Sequence, residues 1–140
     1  MAISGRKNGN GNGHGTPPKP TLCVVDDDGA VRVALSALLR SIGFDVHTFE
    51  SGAEFMLSGQ ARQCDGLIAD IRMKGMTGFE LQQALGAAGI TLPIVFISGH
   101  ADDEMRQRAL ATGAVALLAK PFNETVLLES VREALARRRD

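Results

Sequence analysis

From Thr21 onward, short apolar runs alternate with stretches whose apolar residues recur every three or four positions. Thr21-Leu-Cys-Val-Val25 is a brief run rich in β-branched residues and predicts a buried strand. Val31, Leu35, Leu38, Leu39 and Ile42 follow at helical spacing, and Gly43 marks the stop. Val46–Phe49 suits a second strand and Ala53–Leu57 a short helix. Gly66–Ala69 predicts the third strand, followed by a helix carrying Phe79, Leu81 and Leu85. Pro93–Ile97 predicts the fourth strand, followed by a helix from Met105 to Thr112 that stops at Gly113. Val115–Ala119 makes a fifth strand, and Leu127, Leu128, Val131 and Leu135 mark a last amphipathic helix ending in Arg137-Arg-Arg139. Strands that read as continuous apolar runs between helices predict an α/β fold, a parallel sheet covered on both faces.

Such sheets place their sites beyond the carboxyl ends of the strands, so the residues that close each strand carry the chemistry. The first strand ends in Asp26-Asp27-Asp28, the third at Asp70, the fourth at Ser98 and the fifth at Lys120-Pro121. Helix capping explains Asp28, because Asp is a favoured N-cap. It explains neither the two Asp before it nor a Lys directly before a Pro. Two carboxylates about 4 Å apart repel by roughly 4 kcal/mol at an effective dielectric near 20, so Asp26, Asp27 and Asp70 call for a cation. Oxygen ligands without His or Cys select Mg²⁺ or Mn²⁺ over zinc. A carboxylate beside such an ion can attack phosphorus, and a Lys and a hydroxyl can hold the phosphoryl oxygens. The set suits phosphoryl transfer onto an aspartate.

Composition narrows the alternatives. In 140 residues, 15 Lys and Arg face 16 Asp and Glu, Trp and Tyr are absent, and only six Phe are present. That balance argues against direct nucleic-acid binding by bulk charge or base stacking. The longest apolar run, Ala114–Ala119, is far short of the roughly 18 residues of a membrane span, and no signal peptide follows the initial Met; a soluble, cytoplasmic protein is expected. Cys23 and Cys64 form no metal-binding pattern and are expected as buried free thiols. Residues 1–20 hold five Gly, three Asn and three Pro, too little apolar surface to offset ordering, and predict a flexible tail ahead of one domain over 21–138. His14 within that tract is not expected to bind metal.

Val-Val-Asp26-Asp27-Asp28, Asp70-Ile-Arg-Met-Lys-Gly-Met-Thr-Gly78, Phe-Ile-Ser98-Gly-His100 and Lys120-Pro-Phe122 together resemble the receiver domain of two-component response regulators, most nearly those of the FixJ type. The resemblance implies a flavodoxin-like doubly wound sheet of five parallel strands in the order 2-1-3-4-5, with five helices in three layers. It implies that Asp70 is the phosphoacceptor, phosphorylated from a histidine kinase or phosphotransfer protein in a Mg²⁺-dependent reaction. By the same resemblance Asp27 binds Mg²⁺ directly, Asp26 assists largely through water, and the carbonyl of Arg72 is a further ligand. Ser98 and Lys120 bind the phosphoryl oxygens, Arg72 and His100 tune its lifetime, and the Lys120–Pro121 bond is cis. A receiver is a signalling domain that catalyses only its own phosphorylation and dephosphorylation, and the change would switch binding of a downstream protein or a second copy.

Two positions depart from the family pattern. Lys74 stands where receivers usually carry Pro, which predicts a looser loop after Asp70. Leu117 stands where they carry Phe or Tyr, which removes the ring that turns inward on phosphorylation and predicts only weak coupling to Ser98.

Two rivals use the same residues. Asp26-x-Asp28 also resembles the opening motif of haloacid-dehalogenase-type phosphatases, but these need another acidic pair after the Lys, and only Glu124, Glu129, Glu133 and Asp140 follow Lys120. A pseudo-receiver acting purely as a binding module has only Lys74 and Leu117 in its favour. The terminal arginines suit the negative end of a helix better than a nucleic-acid patch. The chain is expected to be either a single-domain receiver or a fragment of a larger regulator, the initial Met with its own tail favouring the first.

Overall fold

The computed structural model describes residues 19–138. The tail expected over residues 1–20, His14 included, thus lies outside the described residues up to position 18, as does Arg139 of the terminal arginine run.

The chain runs β1 (Thr21–Val25), α1 (Gly29–Ser41), β2 (Asp45–Phe49), α2 (Gly52–Ser58), a 3₁₀ turn (Gln60–Arg62), β3 (Gly66–Asp70), α3 (Gly78–Ala87), β4 (Ile94–Ser98), α4 (Asp103–Ala111), β5 (Ala116–Ala119) and α5 (Glu124–Arg137). The strands are parallel and lie in the order β2-β1-β3-β4-β5. Side chains alternate between the two faces. Leu22, Val24, Ile68, Val95 and Ile97 pack under α1 and α5, whereas Cys23, Val25, Leu67, Ala69 and Phe96 pack under α2, α3 and α4. The three layers follow directly. No described helix is long and apolar enough to cross a membrane.

Helix starts differ from the apolar spacing because first turns are polar. The α4 helix begins at Asp103, not Met105, with the Asp102 side chain accepting the Met105 N–H at 2.8 Å. The α3 helix begins with a capping box in which Thr77 and Glu80 bond each other's backbone N–H at 3.1 and 2.9 Å. Gly43 and Gly113 sit at φ of 109° and 94° after α1 and α4, the conformation for which a side chain would be strained. The 3₁₀ turn has no apolar period and left no signal in the pattern. Leu117 is 2% exposed and belongs to the core beneath α4, so a substitution there removes packing as well as a would-be switch.

Candidate functional site

The strand order reverses between β1 and β3, the switch point beside which sheets of this kind place their sites, beyond the carboxyl ends of the strands. Asp26 closes β1 and is wholly buried, Asp70 closes β3 and is 4% exposed, and Ser98 closes β4 without exposure. One carboxylate oxygen from each of Asp26, Asp27 and Asp70 lies within 4.8 Å of the others. Lys120 reaches across from β5, its Nζ 2.8 Å from Asp26 Oδ2 and 3.1 Å from Asp70 Oδ2.

Each residue is held by local backbone chemistry. The Asp26 Oδ1 accepts the Asp28 N–H at 2.9 Å, while Asp28 caps α1 by accepting the Ala30 N–H at 2.9 Å. Asp28 therefore serves the helix and leaves Asp26 and Asp27 to the cluster. The Arg72 N–H points to Asp70 Oδ1 at 3.3 Å, and the exposed Arg72 side chain lies at the rim. Ser98 Oγ accepts the His100 N–H at 3.0 Å, which keeps its hydroxyl proton free to donate. The His100 ring is on the exposed side of the same turn. The Lys120 N–H bonds the Ser98 carbonyl at 2.9 Å, and Lys120–Pro121 is cis.

The departure at position 74 has a consequence that the looser loop expected from sequence did not include. The Lys74 N–H donates to Asp27 Oδ2 at 3.3 Å, a tie that a proline could not make. Leu117, by contrast, presents only its carbonyl to the outside, accepting from Arg106 Nε at 3.4 Å.

Negative charge is in excess at this edge. Burial, reinforced by the nearby Asp26 charge, raises the Asp70 carboxyl above its usual 3.8, with Lys120 acting against the rise. For Lys120, burial disfavours the charge, but the nearby Asp26 and Asp70 carboxylates prevail and raise its pKa. Asp26 and Asp70 thus share one ammonium, and Asp27 adds a third carboxylate to the cluster. Asp26 Oδ2 is moreover buried without an aligned hydrogen-bond donor, Lys120 lying close by as a charge only. An oxygen-only cluster with an orphaned buried lone pair fits a hard divalent cation.

Two contributors were not singled out from sequence. Arg32, on the first turn of α1, donates from Nη1 to the Asp26 carbonyl at 2.7 Å and pins the acidic turn; one Arg on a helix face carries no distinguishing signal. Gly78 lets α3 sit against the site, since a Cβ there would lie 2.6 Å from the Asp70 carbonyl oxygen. Its place in the Asp70–Gly78 motif was visible, but the close approach that requires glycine was not.

Residues 22–132 match the model of the response regulator receiver domain. The chain is 42% identical to the response regulator protein TmoT of Ectopseudomonas mendocina, over 89% of this chain and 57% of TmoT. Among solved structures it resembles response regulator StyR, with TM-score 0.79 and 46% identity over 87% of this chain and 63% of that one. It also resembles FixJ-N, with TM-score 0.77 and 34% identity over 86% and 96%. The chain spans about half the length of the curated relatives it matches.

Proposed function

The chain belongs to the response regulator receiver family, and we propose that Asp70 is its phosphoacceptor. Receivers are phosphoacceptor signalling domains of two-component systems, which implies a histidine kinase partner, and the family normally binds Mg²⁺ through acidic residues. The observation that carries the assignment to Asp70 is the Lys120 ammonium, shared between Asp26 and Asp70 at 2.8 and 3.1 Å beside the buried Ser98.

In the proposed transfer, an Asp70 carboxylate oxygen attacks phosphorus in line with the bond to the donor, a phosphohistidine or a small acyl phosphate. The P–Oδ bond forms as the donor bond breaks. Lys120 shifts its ammonium from the carboxylates toward one phosphoryl oxygen, and the free Ser98 hydroxyl donates to another. Burial keeps these donors in a low-dielectric setting where each is worth more than in water. Asp26, Asp27, Asp70 and the Arg72 carbonyl would hold Mg²⁺ (Mn²⁺ having the same ligand preference), which supplies charge neutralisation for the incoming phosphoryl group. Arg72 and His100, exposed at the rim, are placed to affect how readily water reaches the acyl phosphate.

We read residues 21–138 as the receiver unit, working in the cytoplasm, where the kinase domain or phosphotransfer donor operates. Its output is a change in binding to a downstream protein or a second copy, without direct nucleic-acid contact by this domain. Phosphatases of the haloacid-dehalogenase type are not favoured, because the acidic cluster among the described residues contains Asp26, Asp27 and Asp70 only. Nor is a pseudo-receiver favoured, since Asp26, Asp27, Asp70, Ser98 and Lys120 all stand at one edge of the sheet.

Incubation with acetyl phosphate and Mg²⁺ should add one phosphoryl group to the intact mass, and Asp70→Asn should abolish it. Persistent labelling of that variant would overturn the assignment.

A further inference from the structure

The three carboxylates of the acidic cluster are not held alike. Asp26 and Asp70 are buried and pair with the Lys120 ammonium. Each also accepts a nearby backbone N–H, from Asp28 at 2.9 Å and from Arg72 at 3.3 Å. Asp27 is exposed. Among the described residues its side chain has one hydrogen bond, from the Lys74 N–H at 3.3 Å, 47 positions along the chain. Without such a tie an exposed carboxylate samples several rotamers, and ordering them as a cation binds costs affinity. The loop that carries Lys74 is itself anchored. Ile71 and Met73 are buried in the core, while Arg72 and Lys74 alternate outward. The Gly78 N–H closes the loop onto the Ile71 carbonyl at 2.9 Å, and Gly75, at φ 76°, turns the chain directly after Lys74. Core packing therefore fixes the amide that meets Asp27.

We propose, resting on the assignment of Asp27 as a Mg²⁺ ligand, that Lys74 is a positioning residue for the cation. Its backbone N–H holds Asp27 ready for Mg²⁺, independently of its side-chain ammonium. A carboxylate offers about four lone-pair positions across its two oxygens. One N–H on Oδ2 therefore orients the group and leaves the other positions for a cation. Carboxylates that ligate metals are commonly oriented by such outer hydrogen bonds, and losing one weakens metal binding by about tenfold or more. At 3.3 Å this bond belongs at the weak end of that range. Proline, which the family pattern has at this position, has no N–H to give. In place of a stiffened loop, this chain has a direct tie from the loop after Asp70 to a metal ligand. The two devices forecast opposite results. If loop stiffness set Mg²⁺ affinity, restoring proline would raise it; if the hydrogen bond sets it, proline lowers it.

The test is an NMR titration of the isotope-labelled full chain with Mg²⁺ alone, together with water exchange of the Lys74 amide. Lys74→Pro should bind Mg²⁺ roughly threefold to tenfold more weakly than wild type. Lys74→Ala keeps the N–H and removes a nearby cation, so it should bind as tightly as wild type or more tightly. Without any metal, the Lys74 amide should exchange roughly threefold to tenfold faster in Asp27→Ala than in wild type. Urea unfolding of Lys74→Pro separates a loosened ligand from a damaged fold; should that variant be damaged, the amide exchange decides alone. Equal or tighter Mg²⁺ binding by a folded Lys74→Pro overturns the proposal, as does an equal loss in Lys74→Ala. So does a Lys74 amide indifferent to Asp27→Ala. These results leave Asp27 standing as a ligand wherever Asp27→Ala itself loses Mg²⁺. If Asp27→Ala binds Mg²⁺ like wild type, the assignment of Asp27 falls first and the role of Lys74 with it.

Discussion

At the amino end of the sheet, Asp65 accepts the Thr21 N–H at 2.8 Å and has Arg138 at 3.4 Å to balance its charge. At the carboxyl end, one oxygen from each of Asp26, Asp27 and Asp70 lies within 4.8 Å of the others, and the Lys120 ammonium pairs with Asp26 and Asp70. Both ends use aspartate, but one set is matched by its neighbours and the other is left in excess. Excess buried charge costs stability, and a fold retains it where the missing partner arrives from outside. The difference separates an aspartate that holds the structure from aspartates that await a ligand.

The largest contrast should come from removing one carboxylate at each end. Asp27→Ala should lower Mg²⁺ affinity, and acetyl-phosphate labelling with it, by roughly tenfold to a hundredfold, measured by isothermal titration and by mass. Asp65→Ala should leave both untouched. If Asp65→Ala weakened Mg²⁺ binding as much, the two ends would not be distinct.

Stability should show the next effect. Asp65→Ala should cost about 1–2 kcal/mol in urea unfolding, because it orphans the Thr21 N–H and removes the partner of Arg138. A neutral result would mean that water replaces both contacts.

The smallest effect, of opposite sign, belongs to Asp70→Asn without metal. Burial and Asp26 raise the Asp70 pKa above 3.8, so the native state holds this proton more tightly than the unfolded chain. Wild-type stability should then fall as pH rises from about the ordinary carboxylate value through the raised one. Asn lacks this penalty. The variant should gain on the order of 1 kcal/mol over wild type at neutral pH, with the gap closing in acid. Mg²⁺ should reverse the order by stabilising wild type more. A gap that did not change with pH would place the strain elsewhere.

Much of this was legible before any coordinates. Continuous apolar strands between amphipathic segments specify a parallel sheet, because only burial on both faces makes such runs favourable. Asp26, Asp27, Asp70, Ser98 and Lys120 stood at strand ends, where the architecture delivers side chains to one edge whatever fills the helices. What escaped was short or polar. The Gln60–Arg62 turn has no period, and the first turn of α4 is acidic, so apolar spacing began two residues late. Leu117 is legible as a missing ring, but its place in the core depends on β5 lying next to β4 under α4.

The sequence by itself determined the strand–helix alternation, the site residues and the excess of acid over base among them, since each follows from local pattern and residue chemistry. Only the tertiary structure decided which groups pair. It set Lys120 between Asp26 and Asp70, gave Asp27 a backbone partner in Lys74, and put Arg32 on the Asp26 carbonyl. These contacts link residues far apart in the chain or turn on side-chain reach. They are fixed by strand register and helix placement, which depend on the whole core packing at once and on no single segment.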